Sequence, residues 1–295
     1  MHPATFEPRS ILFVPADADA FIEKAGLRGA DVIVLDLEDG VAPSAKEAAR
    51  AALGHAAAHL RAADACVFVR LNNVPGLLAR DLKAAVSCGA DGVVIPKVET
   101  AAQLVQLDAD LAGEESVSGR KPGTLRVLAL IETPLGVSNA FDIAKASPRL
   151  AAMCFGSEDF AAAMGVDPSP GSLSWPAQAV AIAASAAGVL PLGLPGSVGN
   201  FTDLAAYRQV VDHAKVLGLR GATCIHPAQV PVLNEVFGGT REEADEAQRL
   251  LAAFDAAVAA GKGAIALDGR MIDEPIANRA RRLLERYRRF NPVSS

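Results

Sequence analysis

The sequence predicts an α/β protein, a (β/α)8 TIM barrel followed by a C-terminal helical extension. Two observations carry this. Short apolar runs recur along the chain with Ala/Leu-rich stretches between them, and a polar residue follows most runs at once. In order the runs are Ile11-Leu12-Phe13-Val14, Val32-Ile33-Val34-Leu35, Cys66-Val67-Phe68-Val69, Gly92-Val93-Val94-Ile95, 126–131, 151–155, Val189-Leu190-Pro191-Leu192 and Ala222-Thr223-Cys224-Ile225. They are continuous rather than alternating, as strands covered on both faces should be. Strands that alternate with helical stretches such as 45–63 and 203–217 pair in parallel, and eight such units close into a barrel. The seventh run is the weakest, because Pro191 and Pro195 crowd it.

In a barrel the C-terminal strand ends share one face, where active sites form. Asp36, Glu38 and Asp39 follow the second run, Arg70 ends the third, and Lys97 follows the fourth. Glu132, Asp159 and His226 follow the fifth, sixth and eighth. Scattered charges thereby become one constellation. Glu132 and Asp159, at neighbouring strand ends, bring two carboxylates to one place. Such a pair repels unless a cation lies between, and oxygen ligation with no nearby Cys or His suits Mg2+. Solvated loop acids are the ordinary alternative. Arg70 could equally neutralise Glu38 or Asp39, and Lys97 could brace the barrel mouth or touch substrate. His226, before Pro227, reads as a loop-fixing residue. His55 and His59, four apart on an outer helix, read as a surface pair.

The barrel is expected over residues 1–239, with a helical extension and lid over 240–295. Thr240-Arg241-Glu242-Glu243 reads as a capping box opening a long helix. The arginines between 279 and 289 read as the solvated face of a last helix. Segments 113–124 and 165–175, rich in Gly, Pro and Ser, look like mobile loops. The chain has 295 residues, 51% hydrophobic and 21% charged, with a net charge of −6. That fits a large buried core and gives no reason to expect nucleic acid. No charged-then-apolar leader opens the chain and no run is long enough to span a bilayer, so no membrane association is expected. Cys66, Cys88, Cys154 and Cys224 have no C-x-x-C spacing and read as buried thiols, which suits the cytoplasm.

Several stretches together resemble the citrate lyase β-subunit/malyl-CoA lyase group of the HpcH/HpaI aldolase superfamily. They are Arg9-Ser10-Ile11-Leu12-Phe13-Val14-Pro15, Asp36-Leu37-Glu38-Asp39-Gly40-Val41, Arg70-Leu71-Asn72, Gly92-Val93-Val94-Ile95-Pro96-Lys97-Val98-Glu99, Ile131-Glu132-Thr133, Phe155-Gly156-Ser157-Glu158-Asp159, Cys224-Ile225-His226-Pro227-Ala228-Gln229 and Asp268-Gly269-Arg270-Met271-Ile272-Asp273. The resemblance implies Mg2+ held by Glu132 and Asp159, and an oxo-acid gripped by Arg70. Glu38 and Asp39 would hold metal-bound waters or support that arginine. Asp273 would lie on a lid, reach a neighbouring subunit's site and move a proton, within a homotrimer or hexamer. Arg9 and Lys24 are candidates for the phosphates of a coenzyme A thioester. Many relatives carry an acidic element such as Pro-Ile-Asp after the seventh strand, where this chain has Leu194-Pro195-Gly196-Ser197-Val198-Gly199-Asn200. Gly196 to Gly199 is too short to be a phosphate loop.

The expected reaction is cleavage or formation of a 3-hydroxyacyl-CoA such as citramalyl- or malyl-CoA. It would yield an oxo-acid and an acyl-CoA through an enolate. The alternatives are a citrate lyase β subunit acting on an acyl carrier protein, a malyl-CoA-type thioesterase, and a non-catalytic acyl-CoA-binding barrel.

Overall fold

The computed structural model describes residues 6–291. The chain divides into two compact units, with the boundary between Asn234 and Glu235.

In the first unit eight strands lie in chain order around a barrel. They are β1 Ser10–Pro15, β2 Val32–Asp36, β3 Val67–Arg70, β4 Gly92–Ile95, β5 Arg126–Ile131, β6 Leu150–Phe155, β7 Leu190–Gly193 and β8 Ala222–Cys224. The sheet order is β7-β6-β5-β4-β3-β2-β1-β8, and every pair is parallel. Two backbone bonds draw β7 and β8 together: Gly193 N–H donates to the Gly221 carbonyl and Arg220 N–H to the Pro191 carbonyl, both at 2.9 Å. Pro191 has no N–H to give, but this seam asks only for its carbonyl, so the proline is tolerated in a strand.

Side-chain parity fills the barrel. Val32 and Val34 on β2, Leu128 and Leu130 on β5, and Leu190 and Leu192 on β7 belong to one buried cluster, with Phe68 and Val94. Residues two apart share a strand face. One further step along the same parity is Asp36 on β2, Arg70 on β3 and Glu132 just past β5. The apolar filling therefore ends, at the C-terminal rim, in charged side chains. Phe68 takes its space because β4 has glycine beside it: a Cβ at Gly92 would lie 2.5 Å from the Phe68 ring and 2.6 Å from the Arg126 carbonyl. Phe6 stacks on Phe68 with ring centroids 5.4 Å apart.

The segments expected to be loose are tied down. Helix Ala101–Val117 runs through Gly113, and helix Pro170–Ala186 takes up the end of the second segment. The fully buried Glu115 accepts backbone N–H bonds from Gly123, Thr124 and Leu125. Arg149 pairs with the same carboxylate at 2.7 Å. Glycine content alone did not reveal that anchor. All four cysteines are free, three of them buried, and burial pushes the Cys154 thiol up to about 12.

The second unit is a pair of helices, Arg241–Ala259 and Glu274–Phe290, with a hairpin of β9 Ile265–Leu267 and β10 Arg270–Ile272. Asp268 and Gly269 turn the hairpin with φ of 52° and 75°, the paired positive values of a type I′ turn. The Thr240 capping box forms as expected. Phe254, Ile272 and Ala277 make a small core. The last helix buries Ala277, Ala280 and Leu284, which leaves its arginines largely to solvent. Among the described residues no helix is long and apolar enough to cross a membrane.

The Gly92 contact gives a direct test. Gly92→Ala should lower stability by about 1–3 kcal/mol through overpacking, read from urea unfolding of the two proteins.

Candidate active site

A cavity of about 570 Å³ opens at the C-terminal rim, lined by Asp36, Arg70, Glu132, Asp159 and the 197–199 loop among others. Arg70 is its fixed point. Its Nε donates to Asp36 Oδ1 at 2.7 Å and its Nη2 to Asp36 Oδ2 at 2.5 Å. Nη1 lies 2.8 Å from Glu38 Oε2, off the axis of a hydrogen bond, since that buried oxygen has no hydrogen-bond partner. The guanidinium also sits 4.9 Å above the Phe13 ring. Burial works against its charge, but the Asp36 bonds together with the negative charges of Asp36, Glu38 and Asp39 hold its pKa above the ordinary value.

Asp36 is itself held by the backbone. Its oxygens accept the N–H groups of Glu38 and Gly40, each at 2.8 Å. A side chain at Gly40 would collide with that carboxylate. The turn after β2 thus exists to hold Asp36, and Asp36 to hold Arg70.

Glu132 is 4% exposed and accepts the Lys97 N–H at 2.8 Å. Gly156 leaves it room: a Cβ there would lie 2.5 Å from Glu132 Oε2. Burial pushes the Glu132 carboxyl from the ordinary 4.5 up to about 7, Asp159 adds to the rise, and the Lys97 N–H opposes it. Asp159 lies in the first turn of helix Ser157–Met164, not on a loop, with its side chain 42% exposed. Lys97 Nζ donates to Glu38 Oε1 at 2.9 Å and lies 3.8 Å from Asp39 and 3.9 Å from Asp159. Burial also raises the Glu38 carboxyl, against the pull of Arg70 and Lys97.

Five carboxylates (Asp36, Glu38, Asp39, Glu132 and Asp159) therefore face two cationic side chains, Arg70 and Lys97. The surplus negative charge is centred on Glu132 and Asp159. Among the described residues no group of three or more His, Cys, Asp or Glu forms a ligand set. Two carboxylates completed by water or substrate oxygen are a donor set that suits Mg2+.

Arg70, Glu38, Asp39, Glu132 and Asp159 are thus brought together. Arg9 is not. It precedes β1, at the opposite end of the barrel, where it pairs with Asp31 at 2.8 Å. A residue before a strand cannot reach the rim beyond it, so the expectation of a phosphate contact from Arg9 at the mouth is corrected. Lys24 is exposed in the last turn of helix Asp19–Ala25 and does not line the cavity. Asp273 lies in the second unit and N-caps helix Glu274–Phe290, accepting the Ile276 N–H.

Three features were not anticipated from sequence. Asp36 is the partner of Arg70. Glu158 Oε1 accepts Ser197 Oγ at 2.5 Å and the Val198 N–H at 2.9 Å, which pins the loop after β7. Gln229, fully buried, donates to the Val198 carbonyl and accepts the Ile225 and His226 N–H groups. His226 accepts the Ala228 N–H through Nδ1 and stacks on Phe201, a loop-fixing role.

The stretch that carries these rim residues also matches known proteins. Residues 9–227 match the family described as HpcH/HpaI aldolase/citrate lyase. The chain belongs to that family. A citrate lyase subunit beta of Escherichia coli K12 is 35% identical over 281 residues, covering 94% of this chain and 92% of the relative. An L-malyl-CoA/beta-methylmalyl-CoA lyase of Cereibacter sphaeroides is 36% identical over 90% of each chain. The crystal structure of CitE from Mycobacterium tuberculosis, in complex with magnesium, acetoacetate and coenzyme A, matches with a TM-score of 0.77 and 31% identity. It covers 96% of this chain and 99% of the other. This family member is a lyase.

Glu132 makes stability depend on pH. Its folded pKa lies above the ordinary value, so its contribution is fully present below about 4.5 and is lost as pH rises through about 7. Glu132→Gln should therefore match the parent in thermal unfolding near pH 4 and exceed it at pH 8, both in chelator.

Proposed function

We propose that this protein is a Mg2+-dependent carbon–carbon lyase for a 3-hydroxyacyl-CoA thioester, such as citramalyl- or malyl-CoA, working through an enolate. The observation that carries the reading is one cavity in which a braced Arg70 shares the walls with Glu132 and Asp159. Mg2+ held by these two acids would supply Lewis-acid stabilisation of developing oxygen charge.

Arg70 binds the oxo-acid. Asp36 takes Nε and one N–H of Nη2, which leaves donors on Nη1 and Nη2 for a planar carboxylate. Because Asp36 fixes the guanidinium beforehand, little ordering remains to be done on binding. Glu38 and Asp39 hold that arginine and Lys97 in place. In cleavage the substrate hydroxyl gives its proton to solvent water and the bond from its carbon to the thioester α-carbon breaks. The bonding pair passes into the enolate, and the oxo-acid leaves. Asp273, supplied by a neighbouring copy of the chain as the family resemblance implies, protonates that α-carbon to give acyl-CoA. In condensation it removes the same proton.

A citrate lyase β subunit acting on an acyl carrier protein is the second reading, favoured by the 35% identity to the Escherichia coli subunit. Purified protein with Mg2+ should release oxo-acid and intact acyl-CoA from malyl- or citramalyl-CoA. Free thiol instead would mean a thioesterase, and turnover of citryl-carrier protein alone would favour the second reading. Arg70→Lys should lower kcat/KM roughly 100-fold, since a lysine keeps charge but loses the fork; a loss under threefold would remove Arg70 from oxo-acid binding.

Asp273 separates its two roles by substitution. Asparagine caps a helix as well as aspartate does. Asp273→Asn should keep the melting temperature and lose turnover, whereas Asp273→Ala should also cost about 1 kcal/mol of stability. Full turnover in the Asn variant would leave Asp273 a cap only.

A further inference from the structure

Lys97 is held in a conformation that side chains avoid. Its φ is +53°, the left-handed region, which costs a residue with a Cβ of this kind and persists only where its surroundings enforce it. Asn73 enforces it, donating from Nδ2 to the Pro96 carbonyl at 2.8 Å and the Lys97 carbonyl at 3.3 Å. In that conformation one residue does two things. Its backbone N–H fixes Glu132 at 2.8 Å, and its ammonium reaches Glu38, Asp39 and Asp159 at 2.9, 3.8 and 3.9 Å.

We infer that Lys97 is a built-in rival of the divalent cation, its ammonium sharing the Asp159 carboxylate and so holding cation affinity down. The inference rests on Glu132 and Asp159 being the metal ligands. A plain brace for Glu38 would need only the bond to that carboxylate at 2.9 Å, not the further reach to Asp159. Two positive charges on one carboxylate oppose each other at these distances in a protein dielectric. The Lys97 side chain is 43% exposed, so the ammonium has open solvent beside it as the cation enters. Lys97 acts here as a positioning residue: through its N–H it orients one ligand, and through its charge it limits how tightly the pair closes on metal.

The test is a Mn2+ titration followed by electron paramagnetic resonance, with parent, Lys97→Met, Lys97→Asn and Glu132→Gln at one pH. Asparagine tolerates the left-handed backbone, so that variant keeps the loop if methionine does not, and thermal unfolding reports which variants are folded. The neutral Lys97 variants should bind one Mn2+ at least tenfold more tightly than the parent. A merely structural lysine gives unchanged or weaker binding, and that result in a folded variant overturns the inference. Absence of binding in both parent and Lys97 variants, or full binding by Glu132→Gln, overturns the ligand assignment itself and this inference with it.

Discussion

Charge must be buried at the end of an apolar barrel, and much of the local design at the rim answers that demand. Strand parity carries Val32 and Val34 to Asp36, Phe68 to Arg70, and Leu128 and Leu130 to Glu132. These groups cannot turn away without reversing the packing of their strands. A carboxylate taken from water is costly unless it is paired and hydrogen-bonded. Asp36 meets that condition fully, with two backbone N–H groups and two guanidinium N–H groups. Glu132 does not, having one N–H bond from Lys97 and the neighbouring charge of Asp159. The difference divides the rim into a satisfied half around Asp36 and a less satisfied half around Glu132, which on the proposed reading would take the cation.

The glycines at the rim follow from the same constraint. Gly40 and Gly156 are the positions where a Cβ would strike Asp36 and Glu132. Each is small because a buried carboxylate needs the room. The backbone thus makes way for charge, just as Gly92 makes way for Phe68 deeper in the barrel.

The barrel and half of the site were legible in the sequence because both rest on period and position. Eight continuous runs specify the strands, and residues directly after them, such as Glu132, reach the rim whatever the loops do. Chain-distant pairing was legible only in part: Glu38 was an open alternative as a neighbour of Arg70, and Asp36 was not among the candidates. Asp36 stood in plain view after the second run, but its claim on Arg70 is a contact across 34 residues. Arg9 misled because its arginine chemistry suited a phosphate while its place before β1 put it at the other end. Asp159 was read as following the sixth strand, and the helix that starts at Ser157 and carries it was not foreseen. Asp273 has a local signature as a cap, and that signature carries no information about catalysis.

The loop after β7 carries no acid of its own among Ser197, Val198 and Gly199. Glu158, from the helix after β6, brings a carboxylate to the same wall of the cavity. Its Oε1 is already engaged by the Ser197 hydroxyl and by the Val198 and Gly199 N–H groups. The loop's donors are therefore spent on Glu158 rather than left for a phosphate, which agrees with its shortness. Gln229 holds the same loop by the Val198 carbonyl. Fixed from both sides, this wall presents to the cavity its shape and Val198, and on the proposed reading charge recognition falls to Arg70, Glu132 and Asp159.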